Sequence, residues 1–306
     1  MTAETHAPRD QRRLSGMGPS LCYVRLSSPA PAKAVEFFAE EFGLRAGATP
    51  HQAVLGLGDR AHSLAFATET SDRVGVALPS EVVLERVLES LRDAGLPTKP
   101  ITDAACAARS IKSGWETKDA SGNLIELVIR PGFLGAPPSL DQCGGITGLA
   151  AVALRSTDID ADRRIWTELL GADVADRAGD IVYLAQDEAH HRIALYPSSG
   201  NGVLYTSLGL TSFDKIMQTH YALQARQVEA VHGPGREASS GQYFLRFFTT
   251  GGHLISFVHG ESRSGQPPRQ FVAHASSLCA LGSVCDKVPE LSFASAATAA
   301  RNWSGS

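Results

Sequence analysis

The sequence predicts an α+β protein built from two tandem βαβββ modules. Short apolar runs of strand length recur along the chain, and amphipathic helical segments lie between them. The same order of elements then returns after a linker rich in Gly and Pro. This repetition indicates two structurally similar halves.

The first copy begins with a strand-like run and an amphipathic helix. LCYVRL (21–26) leads into KAVEFFAEEFGL (33–44), where apolar residues recur at helical spacing. A second helix, SEVVLERVLESLRDAGL (80–96), ends at Gly95 and Pro97, which are helix stop signals. The other predicted strands are HQAVLGLG, HSLAFA, VGVAL, IKSGWETKD and NLIELVIR.

The second copy follows the first segment by segment. LAAVALRS parallels LCYVRLSS, DIDADRRIWTELLGADV parallels PAKAVEFFAEEFGLRAG, and HHRIALY parallels AHSLAFA. VLYTSLGL, the helix SFDKIMQTHYALQARQV, YFLRFF and HLISFVHG complete it. The predicted division is a flexible arm at 1–18, a first module at 19–131, a linker at 132–146, a second module at 147–261 and an Ala/Ser-rich tail at 262–306.

Composition excludes several classes of function. The net charge of −4 over 306 residues is dispersed, which argues against nucleic acid or an anionic membrane as a partner. The 5 cysteines are scattered without a C-x-x-C pair, and no apolar run approaches the ~20 residues of a membrane span. We therefore expect a cytoplasmic protein with a small-molecule partner, and self-association into a homo-oligomer is compatible with the sequence.

Common catalytic motifs are absent from the sequence. There is no Walker A loop, no G-x-G-x-x-G at a strand-to-helix turn, no H-E-x-x-H, and no G-x-S-x-G around Ser256. Most histidines show no metal-ligand spacing, and we expect them on the surface or in turns. They are His6, His51, His220, His232, His253, His259 and His274.

Tandem modules that end in G-N-L-I-E-L and G-H-L-I-S-F resemble the vicinal-oxygen-chelate superfamily. The two-module type I extradiol dioxygenases are the most similar, notably in DEAHHRIALYP (187–197) and GPGREASSGQYFLRFFTTGGHLISF (233–257). The resemblance covers roughly residues 20–260. It implies paired βαβββ repeats in U-shaped sheets, with Fe(II) held in the second module by two His and one carboxylate.

The resemblance also indicates that the metal ligands are lost. The three ligand positions carry over to Leu149, Tyr205 and Ser256, a set without a carboxylate and with one side chain that has no donor atom. We therefore predict no metal and no cofactor. In the first module the corresponding positions are Leu21, about Arg73, and Glu126. Two interpretations remain open there, a structural role for Glu126 or a second pocket around His62, Arg73 and Glu126.

Other residues near the implied pocket are retained or newly charged. The resemblance places His191 beside the substrate, and strand alternation would put His190 on the opposite face. Glu237 and Arg246 replace two uncharged family residues, and Arg246 needs either Glu237 or a substrate oxyanion as its partner.

The predicted function is metal-independent catalysis on an aromatic, enolic or dicarbonyl small molecule. The predicted catalytic residues are His191, Glu237, Arg246 and Tyr205, and the predicted substrate-binding residues are Ser256, Leu149, His190 and Phe248. Acid/base chemistry with oxyanion stabilisation would support C–C bond hydrolysis or lysis, isomerisation or cyclisation. The alternatives are a non-catalytic binding or resistance protein for aromatic ligands, and an extradiol dioxygenase with unrecognised ligands.

Overall fold

Two mixed β-sheets form the protein. The computed structural model describes residues 18–135, 139–140, 143–262, 267–271 and 277–278. Apart from Gly18, the predicted N-terminal arm lies outside these residues, as does most of the predicted C-terminal tail. Within the described residues, every helix is too short or too polar to cross a bilayer.

The first sheet has eight strands and comes from the first module. Its strands are β1 (Ser20–Ser27), β2 (Ala46–Thr49), β3 (Gln52–Leu57), β4 (Arg60–Ala67), β5 (Arg73–Leu78), β6 (Lys99–Pro100), β7 (Ile111–Lys118) and β8 (Leu124–Pro131). Its helices are α1 (Pro31–Phe42), α2 (Glu81–Asp93) and α3 (Asp103–Ala108). The spatial order is β2-β3-β4-β1-β5-β8-β7-β6, so the opening strands of its two halves lie side by side at the centre.

The second sheet has ten strands. They are β9 (Ile146–Ser156), β10 (Asp173–Ala178), β11 (Ile181–Ala185), β12 (Ile193–Pro197), β13 (Val203–Leu210), β14 (Ala230–Glu237), β15 (Tyr243–Phe248), β16 (Leu254–His259), β17 (Arg269–Phe271) and β18 (Ser277–Leu278). The helices are α4 (Ile159–Arg164), which continues into a π-helical turn at Ile165–Leu169, and α5 (Phe213–Ala225). The order is β17-β10-β11-β12-β9-β13-β16-β15-β14-β18.

The α+β fold class is confirmed, and the structure refines the count of repeats. Each module contains two βαβββ units, so the chain has four. Two short strands, β17 and β18, come from the segment predicted as a tail. They extend the two edges of the second sheet, where β17 pairs with β10 and β18 with β14.

One hydrophobic core joins the modules. It includes residues of both sheets and of α1, whose phenylalanines reach the second module. The ring centroids of Phe37 and Phe247 lie 5.4 Å apart, and those of Phe42 and Phe257 lie 5.0 Å apart. Because side chains alternate along a strand, β15 and β16 use one face for this core and leave the opposite face to a separate cluster.

Two residues at matching positions of the two modules form hydrogen bonds to the other module. Asn123 immediately precedes β8, and its amide donates to Arg155 O (2.9 Å) and accepts from Gly202 N (2.6 Å). His253 immediately precedes β16, and its Nε2 donates to Ser27 O (2.9 Å). Arg155 and Ser27 occupy matching positions in β9 and β1. The repeat therefore generates a reciprocal pair of contacts between modules.

We predict that Asn123→Ala destabilises the whole chain. Asn123 is 4% exposed, and its amide also donates to Asp119 Oδ2 (2.8 Å), so truncation breaks three buried hydrogen bonds. The expected loss is about 2–4 kcal/mol of unfolding free energy, measured by urea denaturation. Asn201→Ala is the matched control, because Asn201 is exposed and should change stability by less than about 0.5 kcal/mol. Equal effects of the two substitutions would contradict the role of Asn123.

Candidate active site in the second module

The inner face of the second sheet carries a cluster of buried polar side chains, which we call the cup. Cross-strand register defines its face, because Arg246 lies opposite Ser256, Ser256 beside Ser207, and Ser207 opposite Ala151. Tyr205 shares this face, since it lies opposite Ala153. Two of the three sequence-predicted ligand positions, Tyr205 and Ser256, therefore lie in the cup.

The prediction that Leu149 walls the cup is wrong. The pairing of β9 with β13 shifts at Ala150, so Leu149 lies opposite Leu208 and packs against the shared core. A one-residue irregularity exchanges the two faces of a strand, and Ala151 takes the place assigned to Leu149. The conclusion about donor atoms is unchanged, because alanine has none either.

Arg246 is the charged centre of the cup. Its Nη2 donates to Glu237 Oε1 (2.7 Å) and to the Tyr205 hydroxyl (3.2 Å), and its Nη1 donates to His232 Nδ1 (2.8 Å). The guanidinium also stacks over two aromatic rings. Its central carbon, Cζ, lies 4.3 Å from the ring centroid of Tyr205 and 4.5 Å from that of Phe244. The structure thus provides the carboxylate partner that a buried arginine requires.

Burial and charge fix the protonation states around Arg246. Burial alone would lower the pKa of Arg246, but Tyr205, Tyr196 and Glu237 raise it above its ordinary value. Burial, aided by Arg246, lowers the pKa of His232 to about 3. His232 is therefore neutral and accepts the Arg246 hydrogen bond through Nδ1, which leaves the proton on Nε2.

Three polar groups in this row have no hydrogen-bond partner among the described residues. They are His232 Nε2, Arg246 Nε and Ser256 Oγ, each on a buried side chain. His232, Arg246 and Ser256 lie directly opposite one another on three neighbouring strands. Unsatisfied buried polar groups are rare in folded proteins. All three therefore lie beside the fixed positive charge of Arg246.

Tyrosine hydroxyls extend the cup away from Arg246. Tyr205 and Tyr196 share a hydrogen bond of 3.0 Å between their hydroxyl oxygens, and Tyr183 interacts with Tyr196. Burial raises the pKa values of all three phenols, so each keeps its proton. They can donate hydrogen bonds to an anionic oxygen.

His190 and His191 lie together at the edge of the cup. The prediction that they face opposite sides of a strand is wrong, because they belong to the loop between β11 and β12. Both are buried, their Nδ1 atoms lie 3.1 Å apart, and the His191 ring packs edge-on against Tyr183 at 4.9 Å. Burial first, then the neighbouring His190 and the charges of Arg192 and Arg246, hold the pKa of His191 well below its ordinary value.

The residues of the cup do not fit the Fe(II) that the resemblance implies. The positions that should supply ligands hold Ala151, Tyr205 and Ser256, and Glu237 already pairs with Arg246. A guanidinium in contact with Tyr205 would also repel a divalent cation there. Among the described residues, no group of three or more His, Cys, Asp or Glu side chains could hold a metal ion.

Two cavities flank the cup along its strands. The smaller, about 350 Å³, is lined by Leu149, Arg192, Gln242 and Glu261 among others, and the Gln242 amide donates to Glu237 (3.3 Å). The larger, about 740 Å³, lies between the modules and reaches Phe248. Leu149 and Phe248 thus line cavities next to the cup. Both volumes suit small organic molecules.

Sequence reasoning missed three residues of this region. His232 was expected on the surface or in a turn, but it is buried in β14 and bonded to Arg246. Asp176 is buried beside His190, and its strand, β10, was not predicted. Glu261 borders the smaller cavity, where burial raises its pKa to about 7. The position of His232 immediately before Gly233-Pro234-Gly235 was the only sequence signal.

The first module fills its own cup with ion pairs. Glu126 accepts from Arg109 Nε (2.8 Å) and the Tyr23 hydroxyl (2.5 Å), and Arg73 Nε lies 3.4 Å from it. His62 is buried beside Tyr23, and burial lowers its pKa to about 3. Each carboxylate oxygen of Glu126 thus has partners within the protein. The contacts favour the structural interpretation of Glu126 over a second pocket.

Comparison with known proteins agrees with this architecture. Residues 148–257 match the family described as the Glyoxalase/Bleomycin resistance protein/Dioxygenase superfamily. No curated protein matches the chain in sequence.

Several solved structures share the fold. The Mn(II)-bound glyoxalase from Novosphingobium aromaticivorans is 20% identical with a TM-score of 0.76, over 88% of this chain and 90% of that chain. A halotolerant catechol dioxygenase is 17% identical with a TM-score of 0.77, over 89% and 96%. The 2,2',3-trihydroxybiphenyl 1,2-dioxygenase from Sphingomonas wittichii strain RW1 is 16% identical with a TM-score of 0.72, over 84% and 96%. At these identities the similarity concerns the fold.

We predict that Glu237→Gln destabilises the protein strongly, because it leaves the Arg246 charge unpaired in the cup. The expected loss is about 3–5 kcal/mol in the free energy of unfolding. Adding Arg246→Met to Glu237→Gln should restore part of it, since the unpaired charge is then removed. Urea denaturation of both variants measures the effect, with the exposed Glu229→Gln as control. A Glu237→Gln variant as stable as Glu229→Gln would refute the importance of the pair.

Proposed function

We propose that this chain, whose residues 148–257 match the Glyoxalase/Bleomycin resistance protein/Dioxygenase superfamily, is an enzyme that works without a metal ion. The proposed substrate is an aromatic, enolic or dicarbonyl small molecule. The proposed chemistry is acid/base catalysis in which the protein stabilises a negatively charged oxygen.

The observation that carries this proposal is the fixed cation in the cup. Arg246 holds a permanent positive charge next to Tyr205 and in register with Ser256, at two positions that the resemblance assigns to metal ligands. The unsatisfied His232 Nε2 and Ser256 Oγ lie on either side of it in the strand register. Preorganised donors beside a buried cation stabilise an enolate or phenolate oxygen.

His191 is the proposed base. It is 1% exposed, and its lowered pKa keeps it neutral at physiological pH, so one ring nitrogen has a lone pair that can accept a proton. In the proposed step a proton leaves a carbon or hydroxyl of the substrate for His191, and the electron pair moves onto the substrate oxygen near Arg246. Return of that proton to another atom gives an isomer. If the charged oxygen instead re-forms a carbonyl group and the adjacent C–C bond breaks with its electron pair on the leaving carbon, transfer of the proton from His191 to that carbon completes C–C cleavage.

Other residues have supporting roles in this proposal. Glu237 keeps Arg246 in place through the 2.7 Å ion pair, and Gln242 connects Glu237 to the smaller cavity. That cavity is the proposed binding space for the substrate body. Leu149 supplies an apolar contact in its wall, and Glu261, with a pKa of about 7, can exchange protons there.

A second candidate function is non-catalytic binding of an aromatic ligand. The observation that favours it is the cavity of about 740 Å³ between the modules, which combines Phe248, Leu204 and Leu254 with the polar Asp72 and His253. Such a cavity could hold a larger ligand than the smaller one. Binding there would be stoichiometric and would proceed without turnover.

We expect the purified protein to catalyse proton exchange in D₂O on 1,3-diketones, 1,2-diketones or catechols. NMR of this probe panel detects loss of the exchanging proton signal or appearance of product. Arg246→Met should reduce the catalysed rate by about 10²–10³-fold, as the loss of an oxyanion donor does in other enzymes. Elemental analysis of the same preparation should find metal well below one ion per chain.

The matched control is Arg236→Met, because Arg236 is an exposed arginine of the same module. Binding of a probe without exchange in any variant would favour the binding function. Stoichiometric iron or manganese, with activity abolished by chelation, would overturn the metal-independent mechanism.

The pH profile of the exchange should reflect the lowered pKa of His191. Because the neutral form persists far below the ordinary histidine pKa of about 6.5, the rate should stay flat as pH falls from 7 to 5. A steady-state pH–rate profile measures this, and the same profile in Glu261→Gln removes the titration of the cavity carboxyl. A decline centred near pH 6.5 in both proteins would contradict the assignment of His191.

A further inference from the structure

We propose that Asp176 and His190 form a relay that fixes which nitrogen of His191 carries the proton. This inference rests on the proposed role of His191 as a base and identifies two positioning residues behind it. The relay runs from β17 through β10 to the loop before β12, and all its contacts lie within hydrogen-bonding distance.

The first residue of the relay is Asp176, whose carboxylate is ionised. Asp176 is 1% exposed, and it accepts from Arg269 N (2.7 Å) and Arg269 Nη2 (2.7 Å). Burial alone would raise the pKa of Asp176, but hydrogen bonds from Arg269 and His190 hold it below its ordinary value. Asp176 is therefore ionised and can only accept hydrogen bonds.

His190 transmits this constraint to His191. His190 Nε2 lies 2.8 Å from Asp176 Oδ2, so Nε2 must carry a proton and donate it. The proposal requires a neutral His190, whose other nitrogen, Nδ1, is then an acceptor. It lies 3.1 Å from His191 Nδ1, which must therefore be the donor in that hydrogen bond. The remaining nitrogen of His191, Nε2, has no proton and carries a free lone pair.

The consequence for the proposed reaction is a base prepared in a single tautomer. An unconstrained histidine divides its proton between two nitrogens, and only one tautomer has a lone pair at a given atom. The relay leaves His191 Nε2 as the basic atom before any substrate binds. Carboxylates that orient a catalytic or metal-bound imidazole act by the same physical logic.

Arg269 gives the relay a second link to the fold. Its Nη2 also donates to Ser239 O (2.7 Å), in the loop that follows Glu237. The short strand β17 thus connects β10 at one edge of the sheet with the loop between β14 and β15 near the opposite edge. The same arginine that holds Asp176 therefore helps to close the cup.

NMR of the full chain labelled with ¹⁵N-histidine tests the relay without any substrate. Long-range ¹H–¹⁵N correlation at neutral pH distinguishes protonated from unprotonated ring nitrogens, and the spectrum of His191→Gln assigns the His191 signals. We expect His191 to be protonated at Nδ1 and unprotonated at Nε2, with the reverse in His190. A proton on His191 Nε2 in the unmodified protein would overturn the proposal.

Two variants test whether Asp176 and His190 determine the tautomer of His191. Asp176→Asn replaces a group that only accepts by one that also donates, and His190→Phe removes the acceptor for His191. Each should shift His191 toward the Nε2-protonated form and lower the catalysed exchange at least tenfold with little change in KM. The matched control is Asp180→Asn, an exposed aspartate in the turn after β10. An unchanged His191 tautomer in both variants would overturn the relay.

The two proposals fail in different ways. The expected tautomers without any exchange on the probe panel would leave the relay intact and remove the proposed function. Exchange that depends on Arg246, with His191 protonated at Nε2, would remove the relay alone.

Discussion

The positive charge of Arg246, buried on a β-strand, is the constraint on which the second module depends. A guanidinium with 3% exposure must be neutralised within the protein, and Glu237 does so across neighbouring strands. The rest of the cup follows from that pair. Tyr205 and His232 accept two further hydrogen bonds from the guanidinium. Tyr196 and Tyr183 stay neutral because burial raises the pKa values of their phenols.

Both modules contain a buried ion pair between an arginine and a glutamate in the cup, but the residues come from different positions. In the first module, Glu126 lies at the position of Ser256, and the arginines come from outside its strand. In the second, Arg246 lies on β15, next to the strand of Ser256, and its carboxylate partner Glu237 lies on β14. In the first cup Glu126 has partners on both oxygens and Arg25 Nε is unsatisfied, whereas the second leaves three such atoms, on His232, Arg246 and Ser256. That difference is why we propose chemistry in the second module.

An arginine in the cup stabilises a substrate in a different way from a metal ion. It offers a fixed charge and directional donors, which suit an enolate or phenolate oxygen. It offers no open coordination position at which a substrate and a second molecule could meet. The reactions that we propose are therefore proton transfers, and these require a base whose tautomer is fixed. The Asp176–His190 pair meets this demand by fixing the tautomer of His191.

The sequence by itself determined the repeat, the fold class and the chemical types in the cup. The periodicity of apolar residues and the parallel segments predicted the modules. Because a buried arginine needs a negative partner, the sequence also predicted that Arg246 pairs either with Glu237 or with a substrate oxyanion, and the structure shows the ion pair with Glu237. Only the tertiary structure decided which atoms meet. The shift at Ala150 moved Leu149 off the cup face, and the loop around His190 brought two histidines together that strand alternation would separate. Asp176 and Arg269 meet across 93 positions of sequence, and such contacts depend on how distant strands close the sheet.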